Sequence, residues 1–224
     1  LAILGLGFSG YYLASFLDFA GLAYVSASFE RLVLYLNPTM VLLLGWVLFG
    51  RRATGRQLIA LAVSYAGVLL VFGHELQIAG PDVVLGAALV FGSALSYAIY
   101  LVYSGEVVKR LGSLRLTGLA TSVACVFCIA QFLILRPISA ATEVAPQVIW
   151  LSVLNATLCT FAPVLMVMMA IERVGSTLTA QTGMLGPMST ILMGVLLLGE
   201  PFTAWVAAGT LLVLGGVWLL ARWR

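Results

Sequence analysis

The feature that most constrains this chain is a succession of unbroken apolar runs, each long enough to cross a bilayer. A hydrocarbon layer ~30 Å thick takes ~20 apolar residues of helix. Eight such runs, near 1–22, 26–49, 57–73, 82–104, 113–135, 147–171, 176–199 and 203–221, fill most of the 224 residues. Only helices and closed barrels satisfy every backbone polar group in lipid. These runs are continuous rather than alternating, which selects helices. Only 8% of residues are charged and the mean hydropathy is +1.14, whereas a soluble domain carries roughly 25% charged residues. The chain cannot cover a water-facing surface. The expected class is all-α, a polytopic membrane helical bundle whose first partner is the lipid bilayer, and a soluble enzyme is excluded.

Charge sets the orientation. Arg51, Arg52, Arg56, Lys109, Arg110, Arg115, Arg173, Arg222 and Arg224 collect on one side, while the other holds only Arg31 and Arg136. Short loops rich in Lys and Arg stay in the cytoplasm, so the loop 50–57 and the C-terminus are expected there. Trp150 and Trp205 at outer helix ends, with Trp218 and Trp223 at inner ones, fit interfacial belts. A net charge of +3 without a basic block argues against nucleic acid. Cys125, Cys128 and Cys159 all fall in apolar runs; the Cys-x-x-Cys pair offers two ligands and no third, so neither metal nor cofactor is expected.

The sequence also repeats. At an offset of 149 residues, Leu36, Pro38, Leu43, Gly45, Leu48, Gly50, Thr54, Gly67, Val68 and Leu70 meet identical residues without a gap. The shared helix boundaries, proline and glycines set this apart from leucine-rich coincidence. The offset carries the second helix onto the seventh, an odd number of crossings. The copies therefore run in opposite directions, an inverted-topology repeat of the kind found in secondary transporters. The expected units are 1–76, the last three helices of one repeat, and 82–222, five helices of the next. Two counterparts would lie upstream of Leu1, so the intact protein is expected to have ten helices, five plus five.

The residues that carry this pattern resemble a known group. Ala23-Tyr24-Val25-Ser26-Ala27-Ser28, Tyr35-Leu36-Asn37-Pro38 and the run to Gly50 resemble the close of an EamA domain. Leu185-Gly186-Pro187 and Leu197-Leu198-Gly199-Glu200-Pro201 resemble it again, and Ala94-Leu95-Ser96-Tyr97-Ala98 resembles the opening of the second domain, with Tyr97 in place of tryptophan. Arg51-Arg52 departs from the usual Gly-Glu ending. The resemblance is to the drug/metabolite transporter superfamily. It implies a ten-helix carrier in the inner membrane that exports a small-molecule substrate such as an amino acid. Multidrug or cation efflux, and a non-transporting subunit or sensor, are the alternatives. Oligomeric state, monomer or homodimer, stays open.

Matched interruptions in two halves are the best pointer to a transporter's binding site. Pro38 and Pro187 are such a pair, each depriving the carbonyl four residues back, on Leu34 and Gly183, of its donor. Pro163 aligns with Ala14 and reads as an ordinary kink. Ionisable groups inside a membrane pair or face a cavity, which singles out Asp18, Glu30 and Arg31. Arg31 could bind a substrate carboxylate, a carboxylate could take a coupling proton, or the group could be a structural ion pair. Tyr97 and Tyr100 lie too deep to go without hydrogen-bond partners, whereas Tyr103 reads as an interfacial anchor. With Tyr35, Asn37 and Gln181 they describe a mildly polar cavity. Gly45, Gly86, Gly92, Gly194 and Gly216 are expected where helices approach closely.

Other classes lack their machinery. A nucleotide-driven pump needs a phosphate-binding loop, and no GxxxxGK[ST] occurs. His74, the sole histidine, falls at a helix end, and Lys109 falls in a loop, so neither supplies the base of an intramembrane hydrolase. No ring of like charge or filter sequence suggests a channel.

Overall fold

A computed structural model describes residues 2–50, 54–79, 81–139, 144–183, 193, 196–197 and 203–222, the side chains of 75, 78, 79, 181, 182 and 221 excepted. Among the described residues the elements are helices, without a strand. They are α1 (Ala2–Gly21), α2 (Ala27–Leu34), α3 (Asn37–Phe49), α4 (Gly55–Ala79), α5 (Asp82–Leu111), α6 (Ser113–Leu135), α7 (Pro146–Val174), α8 (Ser176–Thr182) and α9 (Ala204–Arg222). Six helical stretches are long and apolar enough to cross a membrane, with α2 and α3 together making one. Ala204–Leu220 is apolar but shorter, and α8 opens the seventh expected run. Pro187, Gly194, Arg51 and Arg52, together with the Glu200-Pro201 segment, lie outside the described residues.

Local chemistry sets the boundaries. Ser26, in extended backbone, accepts the Phe29 N–H and caps α2. Thr54 and Gln57 exchange side-chain and backbone bonds as a capping box for α4. Gly50, Gly112 and Gly175 end helices at positive φ of 64°, 75° and 86°, conformations that cost a side chain dearly. Helix α5 runs seven residues past its expected end at 104. Beyond that point its residues turn polar, and Lys109 pairs with Glu106 at 3.4 Å one turn back.

The tightest helix pair is α4 against α9, and it is built on glycine. A Cβ on Gly67 would stand 2.7 Å from the Gly209 carbonyl oxygen and 2.9 Å from Leu212 Cβ. A Cβ on Gly216 would stand 2.6 Å from the Ala60 carbonyl oxygen and 2.8 Å from Ser64 N. The two carbonyl contacts are each other's image under the 149-residue offset: Gly67 becomes Gly216, and Ala60 becomes Gly209. A Cβ on Gly86 would likewise stand 2.7 Å from Tyr24 and Val25, whereas one on Gly92 would meet only Leu17, at an ordinary 3.4 Å.

Two interruptions show the same correspondence. Phe8–Leu13 within α1 and Asn155–Phe161 within α7 are π-helical, and the offset lays the first on 157–162. Pro163 explains the second, since it donates nothing to the carbonyl of Cys159. No proline follows the first. There Gly10 lies under the Tyr100 ring, and Ser96 of α5 donates to the Ser9 carbonyl at 2.8 Å. Such bulges relieve the ladder locally and recur at functional sites. Pro163 is thus no isolated kink: the distortion at its level has a partner in α1 that sequence reading missed.

Candidate functional site

Pro38 breaks its span rather than merely bending it. Helix α2 ends at Leu34, Tyr35 and Leu36 form a turn, and α3 restarts with Pro38 in its first turn. Tyr35 still donates to the Arg31 carbonyl, but Leu36 donates to Val33 one residue short of helical register. The Thr39 hydroxyl donates to the Leu36 carbonyl at 2.6 Å and secures the restart. The break leaves Leu34 and Asn37 on the wall of a cavity.

That cavity has a volume of about 260 Å³ and is bordered by Leu34, Asn37, Tyr97, Leu101, Val167, Thr179, Ala180 and Gly183. Leu34 and Gly183 are the two residues that stand four before the matched prolines, and both border it. Its walls are mostly apolar. The polar groups are the Tyr97 phenol, the Thr179 hydroxyl, which donates to Gly175, and the Asn37 amide. Asn37 Oδ1 is buried and has no hydrogen-bond partner among the described residues, a costly condition unless a solute or water completes it.

Of the expected site residues, Asn37 and Tyr97 therefore border one cavity. Pro38 is buried and does not border it, and Tyr35 is fully buried with its hydroxyl unpartnered among the described residues. Tyr100 sits behind Tyr97, 5.8 Å between ring centroids. Its hydroxyl shares a 2.8 Å bond with that of Tyr11, and the two rings meet edge to face. Gln181 belongs to α8 beside the cavity residues of that helix; its side chain, like Pro187, lies outside what is described. The lining residues that sequence reading did not name are Leu101, Val167, Thr179 and Ala180.

Asp18, Glu30 and Arg31 come together elsewhere, at the end of the bundle that bears the α1–α2 turn. Arg31 Nε lies 3.0 Å from Glu30 Oε2, with the Glu30 side chain wholly buried and Arg31 one-third exposed. Asp18 of α1 lies within electrostatic reach of Glu30, Arg31 and Ser93 of α5. The cluster ties α1, α2 and α5, and none of its members borders the cavity.

A second, more polar hollow of about 380 Å³ opens between the end of α5 and the α7–α8 turn, beside Glu106, Lys109, Glu172 and Arg173. Its charges have local employment, since Glu106 pairs with Lys109 and Glu172 accepts the Ser113 N–H that starts α6. The three cysteines are exposed and unbonded, and His74 stacks on Trp205 at 5.5 Å. Among the described residues no group of three His, Cys, Asp or Glu is placed to hold a metal ion.

Comparison with known proteins gives this geometry its family. The EamA-like transporter family matches residues 1–73 and 84–222. A Bacillus subtilis (strain 168) protein described as uncharacterized transporter YcbK is 31% identical over 209 residues, 88% of this chain and 64% of its own length. A second from the same organism, uncharacterized transporter YvbV, is 23% identical over 204 residues, 89% of this chain and 65% of its own. The chain thus spans just under two-thirds of the length of these two relatives. An uncharacterized transporter of Archaeoglobus fulgidus is 24% identical over 206 residues, 91% of this chain and 71% of its own. A solved crystal structure superposes with a TM-score of 0.68 at 19% identity, covering 99% of this chain and 76% of that one, which speaks to fold alone. Multi-pass helical architecture and family agree: the chain belongs to the EamA-like transporter family.

Proposed function

We propose that the protein is a secondary transporter, not an enzyme, that exports small metabolites such as amino acids across the inner membrane by alternating access. The C-terminus faces the cytoplasm, and residues 1–76 and 82–222 belong to two inverted repeats that rock against each other. The observation that carries this reading is the cavity itself. Leu34 and Gly183 face it from equivalent places in the two repeats, and the buried Asn37 Oδ1 on its wall has no hydrogen-bond partner among the described residues. Transporter sites lie at the repeat interface, on discontinuous helices whose interrupted backbone offers polar groups. The α2–α3 break is such an interruption.

The test is counterflow in liposomes that hold the full-length protein. Labelled L-leucine, L-phenylalanine and L-threonine are each exchanged against the same unlabelled amino acid, with ethidium as the cationic comparison. The proposal predicts protein-dependent accumulation of at least one amino acid and none of ethidium. Asn37→Ala should lower the exchange about tenfold, since a site built to hydrogen-bond its ligand loses roughly this much or more when a partner is removed. Ethidium exchange without amino-acid exchange would transfer the protein to the multidrug class, and exchange of none of the four would overturn the reading.

A further inference from the structure

The cavity and the charged cluster are images of each other. Adding 149 to Asp18, Glu30, Arg31 and Leu34 gives Val167, Thr179, Ala180 and Gly183. Those four are the residues that α7, α8 and the turn after it contribute to the cavity wall. The register of this correspondence is fixed by structure as well as by sequence. Helix α2 begins at Ala27 and α8 at Ser176, one offset apart, and the π-helical segments of α1 and α7 overlap under the same shift. The paired contacts of Gly67 and Gly216 obey it too.

We propose that Asp18, Glu30 and Arg31 form the wall of the cavity when it opens to the opposite side of the membrane, and that the cluster they make between α1, α2 and α5 is the gate that seals that side in this structure. The inference rests on the alternating-access reading above. In an inverted repeat, the two halves exchange conformations between the inward-open and outward-open forms. A wall built here from Val167, Thr179 and Ala180 is then rebuilt there from Asp18, Glu30 and Arg31. At present that wall is closed: Glu30 is wholly buried with its carboxylate on Arg31, and α1 packs so closely on α5 that a Cβ on Gly21 would stand 3.1 Å from the Gly86 carbonyl oxygen.

The two walls differ in chemistry. On the side now open, the three positions carry an isopropyl group, a hydroxyl and a methyl. On the sealed side they carry two carboxyl groups and a guanidinium. A solute that bears both an ammonium and a carboxylate would find a charged partner for each only on the sealed side, and only once the gate has parted.

The test reads accessibility and needs no knowledge of the substrate. Val167→Cys is placed in a full-length protein whose Cys125, Cys128 and Cys159 are replaced by serine, and its reaction with a small methanethiosulfonate is timed in detergent. Removing the guanidinium leaves two carboxyl groups facing each other without compensation, which favours the open, hydrated gate. Arg31→Gln should therefore slow labelling of the introduced thiol about fivefold as the population shifts away from the present form, and Arg31→Lys should restore it. Thermal unfolding and size exclusion confine the comparison to folded protein. Labelling that is unchanged or faster in a folded Arg31→Gln protein would make the cluster a static clasp and overturn the inference. That outcome leaves the counterflow test untouched, so the two failures are told apart.

Discussion

The glycine contact between α4 and α9 gives a sharp prediction because two adjacent residues should respond with opposite sign. Gly215 and Gly216 are neighbours in α9. A Cβ on Gly215 would meet nothing within 4 Å, whereas one on Gly216 would stand 2.6 Å from the Ala60 carbonyl oxygen and 2.8 Å from Ser64 N. Ordinary contact begins at 3.4 Å, so Gly216→Ala must drive backbone from backbone by about 0.8 Å, the difference between 3.4 and 2.6 Å. No rotamer can absorb this. Backbone-on-backbone overpacking falls in the upper part of the usual range, about 2–3 kcal/mol, and exchanging a helical glycine for alanine returns ~1 kcal/mol. Gly216→Ala should therefore destabilise by roughly 1–2 kcal/mol, while Gly215→Ala should be neutral or stabilise by up to ~1 kcal/mol. Gly67→Ala should match Gly216→Ala, since its contacts are the image of that set. The double variant should lose less than the sum, because one displacement of the shared helix pair relieves both clashes. Thermal unfolding of the purified protein in one detergent, followed by tryptophan fluorescence, measures all four. Equal responses at 215 and 216, or a Gly216→Ala protein as stable as its parent, would refute the packing argument.

Other expectations follow from single contacts. Tyr100→Phe removes the 2.8 Å bond to Tyr11 and should cost about 0.5–1.5 kcal/mol; Tyr11→Phe should cost the same, and the double variant little more. Gly175 holds φ 86° and ψ 162°, a region essentially closed to side chains, so Gly175→Ala should destabilise by about 1–3 kcal/mol, again read by thermal unfolding. Glu172→Ala frees the Ser113 N–H and should raise hydrogen exchange in the first turn of α6 while leaving its centre unchanged, at a cost of about 0.5–2 kcal/mol.

Much of this architecture is legible in the sequence because lipid leaves so little choice. Apolar length alone locates α1, α5 and α6 to within a few residues, and the polar tail of α5 is the part that hydropathy could not foresee. Pro38 announces the break between α2 and α3, since an absent donor and a clash four residues back are properties of proline itself. Asp18, Glu30 and Arg31 were legible as a cluster, because three ionisable groups near one turn have few ways to be satisfied in a membrane. Their separation from the cavity was not. It depends on how α1, α2 and α5 pack, which no local pattern encodes. The π-helical segment of α1 left no mark either: it answers to Gly10 beneath Tyr100 and to Ser96 at the Ser9 carbonyl, contacts made across 87 to 90 positions of chain. Val167, Thr179 and Ala180 look like anonymous helix filler. The signal that finds them is the 149-residue offset applied to the charged cluster, a use of the repeat that needs the cavity to give it meaning.

The central claim is that the walls bearing Leu34 and Gly183 move relative to each other as solute crosses. Leu34→Cys and Gly183→Cys together, in a full-length protein in which Cys125, Cys128, Cys159 and any other native cysteine are replaced by serine, place one thiol on each wall. A cleavable bifunctional thiol reagent then joins them, and counterflow of the amino acid exchanged best by the parent is measured before linkage, after it and after reductive cleavage. The account predicts exchange that stops on linkage and returns on cleavage, with either single cysteine unaffected. Exchange that continues through linked protein would contradict it.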